Sequence, residues 1–356
     1  IRDRFIKEKK NMKNAVKRIL LLALAVVMAV GMGVLAACNN NTNDGKTSLT
    51  SLTIVAPDGA PALSIAKLIN DNRNFAETTT YKVVNAANIK NYVVGNGEKA
   101  DIALIPVNLA SLLIGDGSEY KGVATVTHGN LYMLSLDETA INKDNIASLK
   151  GKTVAVVNIA NVPGLTFKAV LKDSGIEFTE DESQKTDENV YLIGINGSDI
   201  ATTLNQSKAD YVIAPEPAVS TITGKVPAIK KVAALHDIYG SYPQAVMVVR
   251  NQLLEENKDV VKQVFAAMQE NESWIKENPA LAAQAVASRL DEGETPSFTA
   301  DNTTESSVEG CSIKMVTFTD SEIEIVKNYI DDIISFGTTS AVAKQFDDAF
   351  FVDINE

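Results

Sequence analysis

Residues 51–71, SLTIVAPDGAPALSIAKLIND, decide the fold class. Ser51 to Pro57 is an apolar run of strand length, and Asp58-Gly59-Ala60-Pro61 is a Gly/Pro turn. Beyond it Leu63, Ile65, Ala66, Leu68 and Ile69 recur at helical spacing. Pro61 suits a first helical turn, where its missing N–H leaves nothing unpaired. Two more strand-like runs follow, YKVVNA at 81–86 and ADIALIPVN at 100–108. The second is so continuously apolar that it predicts a parallel strand buried on both faces. Strands alternate with helices, which is the pattern of an α/β fold.

The same grammar returns from Gly151. GKTVAVVN (151–158) reads as a strand, IANVPGLTFKAVLKDSG (159–175) as a turn and helix, and NVYLIG (189–194) as a strand. SDIATTLNQSK (198–208) predicts a helix with Ser198 as N-cap, and ADYVIAPEP (209–217) another strand. GEKADIALIPVNLASLL and SKADYVIAPEPAVSTI share one order, in which Ala-Asp leads into an apolar strand, a proline and a helix. The chain therefore predicts two lobes. HGNLYMLSLD (128–137) leaves the first and SYPQAVMVVR (241–250) returns to it, giving two hinge crossovers. Lobe 1 is expected over 52–131 plus 245–356 and lobe 2 over 132–244.

The remainder predicts helices at 259–278, 278–290 and 320–337, packed on lobe 1. Asn278 and Pro279 mark one start, Ser321 with Glu324 a capping box at another, and Gly337 a C-cap. Residues 291–310, DEGETPSFTADNTTESSVEG, are so poor in apolar side chains that they read as a mobile surface loop.

Upstream, a basic stretch precedes ILLLALAVVMAVGMGV (19–34), and VLAAC places Leu35-Ala36-Ala37 before Cys38. A positive flank, an apolar core and a small-residue exit predict a secretory signal over residues 1–37, and the exit resembles a bacterial lipobox with Cys38 as the lipidated residue. Sixteen apolar residues at about 1.5 Å each barely reach across a hydrocarbon core of ~30 Å, so a permanent span is the weaker reading. Residues 38–51 are polar and read as a tether. The expected location is the outer face of the bacterial cytoplasmic membrane, with the lipid as the only membrane contact.

Residues 1–37 carry eight Lys/Arg against two Asp/Glu, a net of +6, which leaves −18 on the rest of a chain whose total is −12. Such a body repels phosphate backbones, so nucleic acid is excluded as a partner. With Cys38 lipidated, Cys311 has no disulfide partner and reads as a small buried hydrophobe. His128 and His236 are the only histidines. No HExxH, GxSxG or Cys/His cluster occurs, so neither metal nor cofactor is expected, and no triad chemistry.

The stretches LTIVAPDGAPALSIAKL, ADIALIPVNLASLL, SLKGKTVAVVNIANVPG, ADYVIAPEPAVS and YPQAVMVV together resemble the substrate-binding lipoproteins of ATP-driven importers in the nitrate, sulfonate, taurine and thiamine-pyrimidine group. That resemblance implies a two-lobed, type II periplasmic-binding fold in a monomer that captures a small polar molecule. It also implies ABC permease and ATPase subunits as partners and no catalysis. A ligand sensor presenting its closed form to a receptor remains the alternative. Relatives that synthesise the thiamine pyrimidine carry a cysteine-rich motif absent here, which disfavours an enzyme.

In open α/β sheets the ligand crevice lies at the carboxyl ends of the strands. That rule selects Asp58, Gly59, Ala60 and Pro61, then Pro106, Val107 and Asn108, from lobe 1. From lobe 2 it selects Asn158, Asn161, Val162, Pro163 and Gly164, and Glu216. His128 joins them as a candidate contact beside the first crossover, whereas His236 is expected to face solvent. Tyr132, Phe167, Tyr239 and Tyr242 are candidates for stacking on a flat ring. Asp58 and Glu216 favour a ligand with donors or positive charge, such as an aminopyrimidine or amine. The only arginines beyond the signal, Arg73, Arg250 and Arg289, lie outside these loops, so a fork for a sulfonate is not visible. Glu216, between two prolines, reads either as a latch and ligand acceptor or as a cap for the helix starting near Ala218.

Overall fold

A computed structural model describes residues 49–113, 118–336 and 348–355. The signal segment, Cys38 and most of the tether lie outside the described residues. The body begins at Leu49, whose carbonyl accepts from Glu77 N–H at 3.0 Å, as that of Thr50 does from Thr78 at 3.1 Å. Leu49 and Thr50, expected within the tether, are thus bonded to the body.

Among the described residues twelve strands form two six-stranded sheets. They are β1 Ser51–Pro57, β2 Thr78–Val84, β3 Ile102–Pro106, β4 Tyr120–His128, β5 Leu131–Ser135, β6 Thr153–Val157, β7 Phe178–Thr179, β8 Val190–Ile195, β9 Tyr211–Pro215, β10 Lys230–Ala234, β11 Pro243–Arg250 and β12 Ile313–Thr317. The first sheet has the order β12-β4-β11-β3-β1-β2 and the second β10-β5-β9-β6-β8-β7. In the first, β1 pairs in parallel with β2 and β3, and β11 runs antiparallel between β3 and β4. In the second, β6 pairs in parallel with β8 and β9, and β5 is antiparallel to β9. The chain crosses between sheets twice, after β4 and before β11. The two-lobed α/β fold is the one the alternating sequence predicts.

The helices are α1 Ala60–Leu63, α2 Ala66–Asn70, α3 Val107–Ala110, α4 Val162–Asp173, α5 Ile200–Asn205, α6 Ala218–Lys225, α7 Leu235–Tyr239, α8 Asn251–Glu277, α9 Pro279–Ala287, α10 Glu305–Gly310 and α11 Asp320–Ile334. The first predicted helix is broken in two. Ser64 Oγ donates back to the Pro61 carbonyl at 2.6 Å, and Ile65 leaves helical geometry at φ −114°, ψ 9°.

Two caps differ from expectation. Ser198 lies in a short 3₁₀ turn, and Asp199 stands at the N-cap of α5. Asn278 stands at the N-cap of α9 with Pro279 next, as expected, and its carbonyl accepts from Ala282 N–H at 2.9 Å, while its side-chain amide turns back to the Trp274 carbonyl at 3.0 Å and closes α8. The start of α11 is capped by Thr319, whose Oγ1 accepts from Glu322 N–H, two residues before the expected Ser321. Gly337 lies outside the described residues. Helices α8 and α9 pack on the first lobe, α8 against β11 and β12 and α9 against α1 and α2. Helix α11 also reaches the second lobe, where Tyr329 and Thr166 hydroxyls share a hydrogen bond of 2.7 Å. Tyr329 stacks on Tyr242 with ring centroids 5.5 Å apart. One apolar cluster therefore runs from Val55 and Ile105 through Val246 and Tyr329 to Phe167 and Val156.

The predicted loop 291–310 is the largest departure. Phe298 is wholly buried, Thr303 nearly so, and residues 305–310 form α10 with a reciprocal capping box between Thr304 and Ser307. Few apolar residues are present, but they are the ones that anchor the segment. Cys311, directly after it, is fully buried and free, and burial pushes its thiol well above the ordinary value.

Candidate functional site

Strands β1, β3 and β4 all run the same way, because β11 is antiparallel to both β3 and β4. Their carboxyl ends consequently meet at one edge of the first sheet. Asp58, Asn108 and Asn130 stand there, and each holds a buried side-chain oxygen with no donor in reach. A buried acceptor without a donor is costly, by roughly 1–3 kcal/mol, so three at one edge call for a partner. Asn130 is the residue that strand-end reasoning missed. It lies in the crossover between β4 and β5, where its N–H is held by Gln244 Oε1 at 3.1 Å.

Gly59, at φ 118° and ψ −159°, is in a region that L-residues rarely adopt and opens α1, where Pro61 follows. Ala60 and Val107 are buried, whereas Pro61 and Pro106 are half-buried. One Asp58 oxygen accepts from Ser297 N–H at 2.8 Å, and the other is the orphan.

On the second sheet, Asn158 and Asn161 are exposed after β6, and Asn158 has a positive φ of 57°. Val162, Pro163 and Gly164 are buried in the first turn of α4. Gly164 is required by a close approach, since a Cβ there would lie 1.8 Å from the Ile159 carbonyl oxygen. Of the strand-end loop after β6, the two asparagines are thus the polar side chains presented to solvent.

Glu216 follows β9 and is only 4 % exposed. Its carboxylate accepts from Ser220 N–H at 3.0 Å and Ser220 Oγ at 2.9 Å, so it caps α6. Its own N–H donates to the Asn130 carbonyl at 3.2 Å, tying it to the first crossover. Burial pushes its carboxyl above the ordinary value, against the pull of the Ser220 donors and Lys231. It also abuts the first lobe's strap of residues 291–312, because a Cβ on Gly310 would lie 3.0 Å from Glu216 Cγ and Oε1. Beside it Tyr132 Oη donates to the Gly310 carbonyl at 2.9 Å.

His128 turns away from the strand-end loops. Its Nε2 lies 3.5 Å from Glu322 Oε1, and it lines a cavity of about 510 Å³ with Ser241, Lys276, Ser312 and Lys314. Burial works to raise the Glu322 carboxyl, but hydrogen bonds from His128 and Thr125 outweigh it and hold it below the ordinary value. His236 keeps 34 % of its side chain exposed, with Nε2 3.7 Å from Asp237 Oδ1, and meets the Tyr132 ring edge-on at 6.0 Å. Phe167 and Tyr242 are wholly buried in the core. Among the described residues no three His, Cys, Asp or Glu side chains are placed to hold a metal ion. The three arginines are engaged elsewhere, Arg73 with Glu270, Arg250 with Asp101 and Arg289 with Asn72.

The family described as NMT1/THI5 like matches residues 86–282, more than half of the chain. The protein belongs to that family. No curated protein matches it in sequence. Solved structures share its fold. An ABC transporter protein from Parabacteroides distasonis is 16 % identical, with 85 % of this chain and 99 % of that one covered at a TM-score of 0.63. The periplasmic aliphatic sulphonate binding protein SsuA from Escherichia coli is 13 % identical, with coverage of 86 % and 91 % and a TM-score of 0.62. The periplasmic nitrate-binding protein NrtA from Synechocystis PCC 6803 is 12 % identical, with coverage of 81 % and 82 % and a TM-score of 0.56. No helix among the described residues is long and apolar enough to cross a membrane.

Proposed function

We propose that this NMT1/THI5-like protein captures a small polar solute between its two lobes, outside the cytoplasmic membrane, and delivers it to an ATP-driven importer. Cys38, lipidated, would hold it at that membrane. The observation that carries the reading is the set of unmatched acceptors, Asp58 Oδ1, Asn108 Oδ1 and Asn130 Oδ1, at the strand ends of an importer-type binding fold. The binding residues are Asp58, Asn108 and Asn130 from the first lobe, with Asn158 and Asn161 from the second, while Glu216 supports the second lobe's share by capping α6. No nucleophile–base pair stands at these positions, so the solute is held and released unchanged.

Three acceptors and no free guanidinium favour a ligand rich in N–H donors. An amine or aminopyrimidine meets that demand, and a sulfonate, which brings only acceptors, does not. A ligand bridging both lobes binds the closed form better than the open one, and this difference in affinity drives closure. A thermal-shift panel of amines, aminopyrimidines, sulfonates and oxyanions tests the reading. A ligand at a hundred times its Kd adds about 2.7 kcal/mol. Stabilisation by a donor-rich compound, lost in Asn130→Ala, is expected. Stabilisation by sulfonates alone would overturn the ligand class.

A further inference from the structure

The cavity beside His128 shares no residue with the strand-end site. It holds about 510 Å³, within the ~300–1,000 Å³ range of small-molecule pockets. Six parts of the chain build it: the end of β4 at His128, the second crossover at Ser241, the end of α8 at Lys276, the end of α10 at Glu309, the start of β12 at Lys314, and α11 at Glu322. Two hydrogen bonds tie its lining together, His128 N–H to the Ser312 carbonyl at 3.0 Å and Ser312 Oγ to the Gly129 carbonyl at 3.3 Å. The cavity is therefore a built part of the fold.

Its lining is of two kinds. Ile275, Val308, Ile313, Val316 and Ile325 supply apolar surface. Lys276 and Lys314 are exposed, and neither ammonium enters an ion pair or hydrogen bond among the described residues. Of the two carboxylates, Glu322 is already met by Thr125 Oγ1 at 2.5 Å and His128 Nε2 at 3.5 Å, which leaves Glu309 against two ammonium groups. The lining thus carries surplus positive charge on a chain that is acidic overall. A carboxylate only accepts, so His128 Nε2 carries the proton that Glu322 receives, and Nδ1 is left buried with no partner. An anion within reach of that nitrogen favours the imidazolium, whose Nδ1–H donates.

We propose that this cavity is a second binding site, for a small organic monoanion with an apolar body, whose head group is held by Lys276, Lys314 and His128 and whose body is covered by the isoleucines and valines. An inorganic anion would leave that apolar surface wet, and an amine would meet two ammonium groups, so charge and apolar body are both required. The strand-end acceptors call for donors instead, so the two sites take opposite chemistry. His128 is a ligand contact of this cavity, and the site stands whether or not the solute reading of the cleft does.

A chain with only two histidines makes the test direct. Imidazole nitrogen resonances of the ¹⁵N-labelled full chain are followed by NMR, with His236→Gln assigning the two rings, while butanoate, hexanoate and the matching sulfonates are added at constant ionic strength. Hexanoate is expected to shift the His128 signals saturably toward the imidazolium pattern. It should bind roughly fifteenfold tighter than butanoate, since each buried methylene adds about fourfold. Either head group showing this dependence on chain length supports the site. Lys276→Gln and Lys314→Gln, both at exposed positions, should each weaken binding roughly threefold with Tm unchanged. Chloride or sulfate shifting His128 as strongly as hexanoate, or butanoate and hexanoate binding alike, would overturn the apolar body. Binding of hexylamine without hexanoate would overturn the charge. His128 signals unmoved by every anion would overturn the site.

Discussion

Replacing Glu216 by alanine and by glutamine separates two consequences of its position. Alanine removes the acceptor for Ser220 N–H and Oγ at the start of α6, a capping loss of about 1–2 kcal/mol. Glutamine keeps the shape and one acceptor oxygen, so it loses less, and it also abolishes ionisation. Burial raises the Glu216 carboxyl above 4.5, with Ser220 and Lys231 pulling the other way. The folded protein therefore holds that proton more tightly than the unfolded chain does. Its contribution to stability is full below pH 4.5 and is lost as pH rises through the raised value. Glutamine has no such loss. Wild-type stability minus that of Glu216→Gln should then fall as pH rises above 4.5, while Glu216→Ala stays below Glu216→Gln throughout. Urea unfolding at fixed pH steps measures both. A flat difference curve would refute the buried ionisation, and an alanine variant within ~0.3 kcal/mol of the glutamine one would refute the cap.

Other substitutions test the surrounding structure. Phe298→Ala should destabilise by about 3–5 kcal/mol and lower Tm by roughly 6 °C or more, because the ring is wholly buried; a change within ~0.5 kcal/mol would mean the strap is a loose loop after all. Gly164→Ala drives a Cβ to 1.8 Å from a backbone carbonyl that cannot rotate away, so a loss above about 3 kcal/mol is expected by chemical denaturation, and near-wild-type stability would refute the close approach. Glu322 titrates in the opposite sense to Glu216. Its lowered value contributes stability that is present above pH 4.5 and lost as pH falls through that value, so Glu322→Gln should lose less stability in acid than the wild type, as acid melts would show.

The sheets were legible because they announce themselves locally. Ile102 to Ile105 and Val154 to Val157 are unbroken buried runs, and the crossovers follow from where such runs stop pairing with sequence neighbours. The caps were less legible. Thr319, Asp320 and Ser321 are all competent N-caps, and the choice falls to Thr319 because wholly buried Phe318, just before it, fixes where the chain must turn. Asn130 and the strap were not legible at all. Asn130 has no local signal, since its orphan oxygen matters only through residues that β1 and β3 bring to the same edge. The strap's polar composition reads as disorder when its anchors are counted, and as structure only once Asp58, Thr221 and Tyr132 are known to lie within reach. Its one local mark was the Thr304/Ser307 cap of α10.

Two kinds of tie besides the crossovers join the lobes, and they do not oppose opening equally. The contacts of α11 with the second lobe cluster around the second crossover, where Tyr329 stacks on Tyr242 and Asp332 accepts from the Tyr239 hydroxyl. Bonds near a pivot change little when two bodies rotate about it. The strap instead joins the loop after β1, at Asp58, to helix α6, at Thr221, so a rotation that parts these two must break one of its bonds. A solute that satisfies Asp58 Oδ1 binds the side chain whose other oxygen the strap already holds. The strap and the solute share that carboxylate, so changing the strap's grip changes the affinity of the site without altering any residue that touches the ligand.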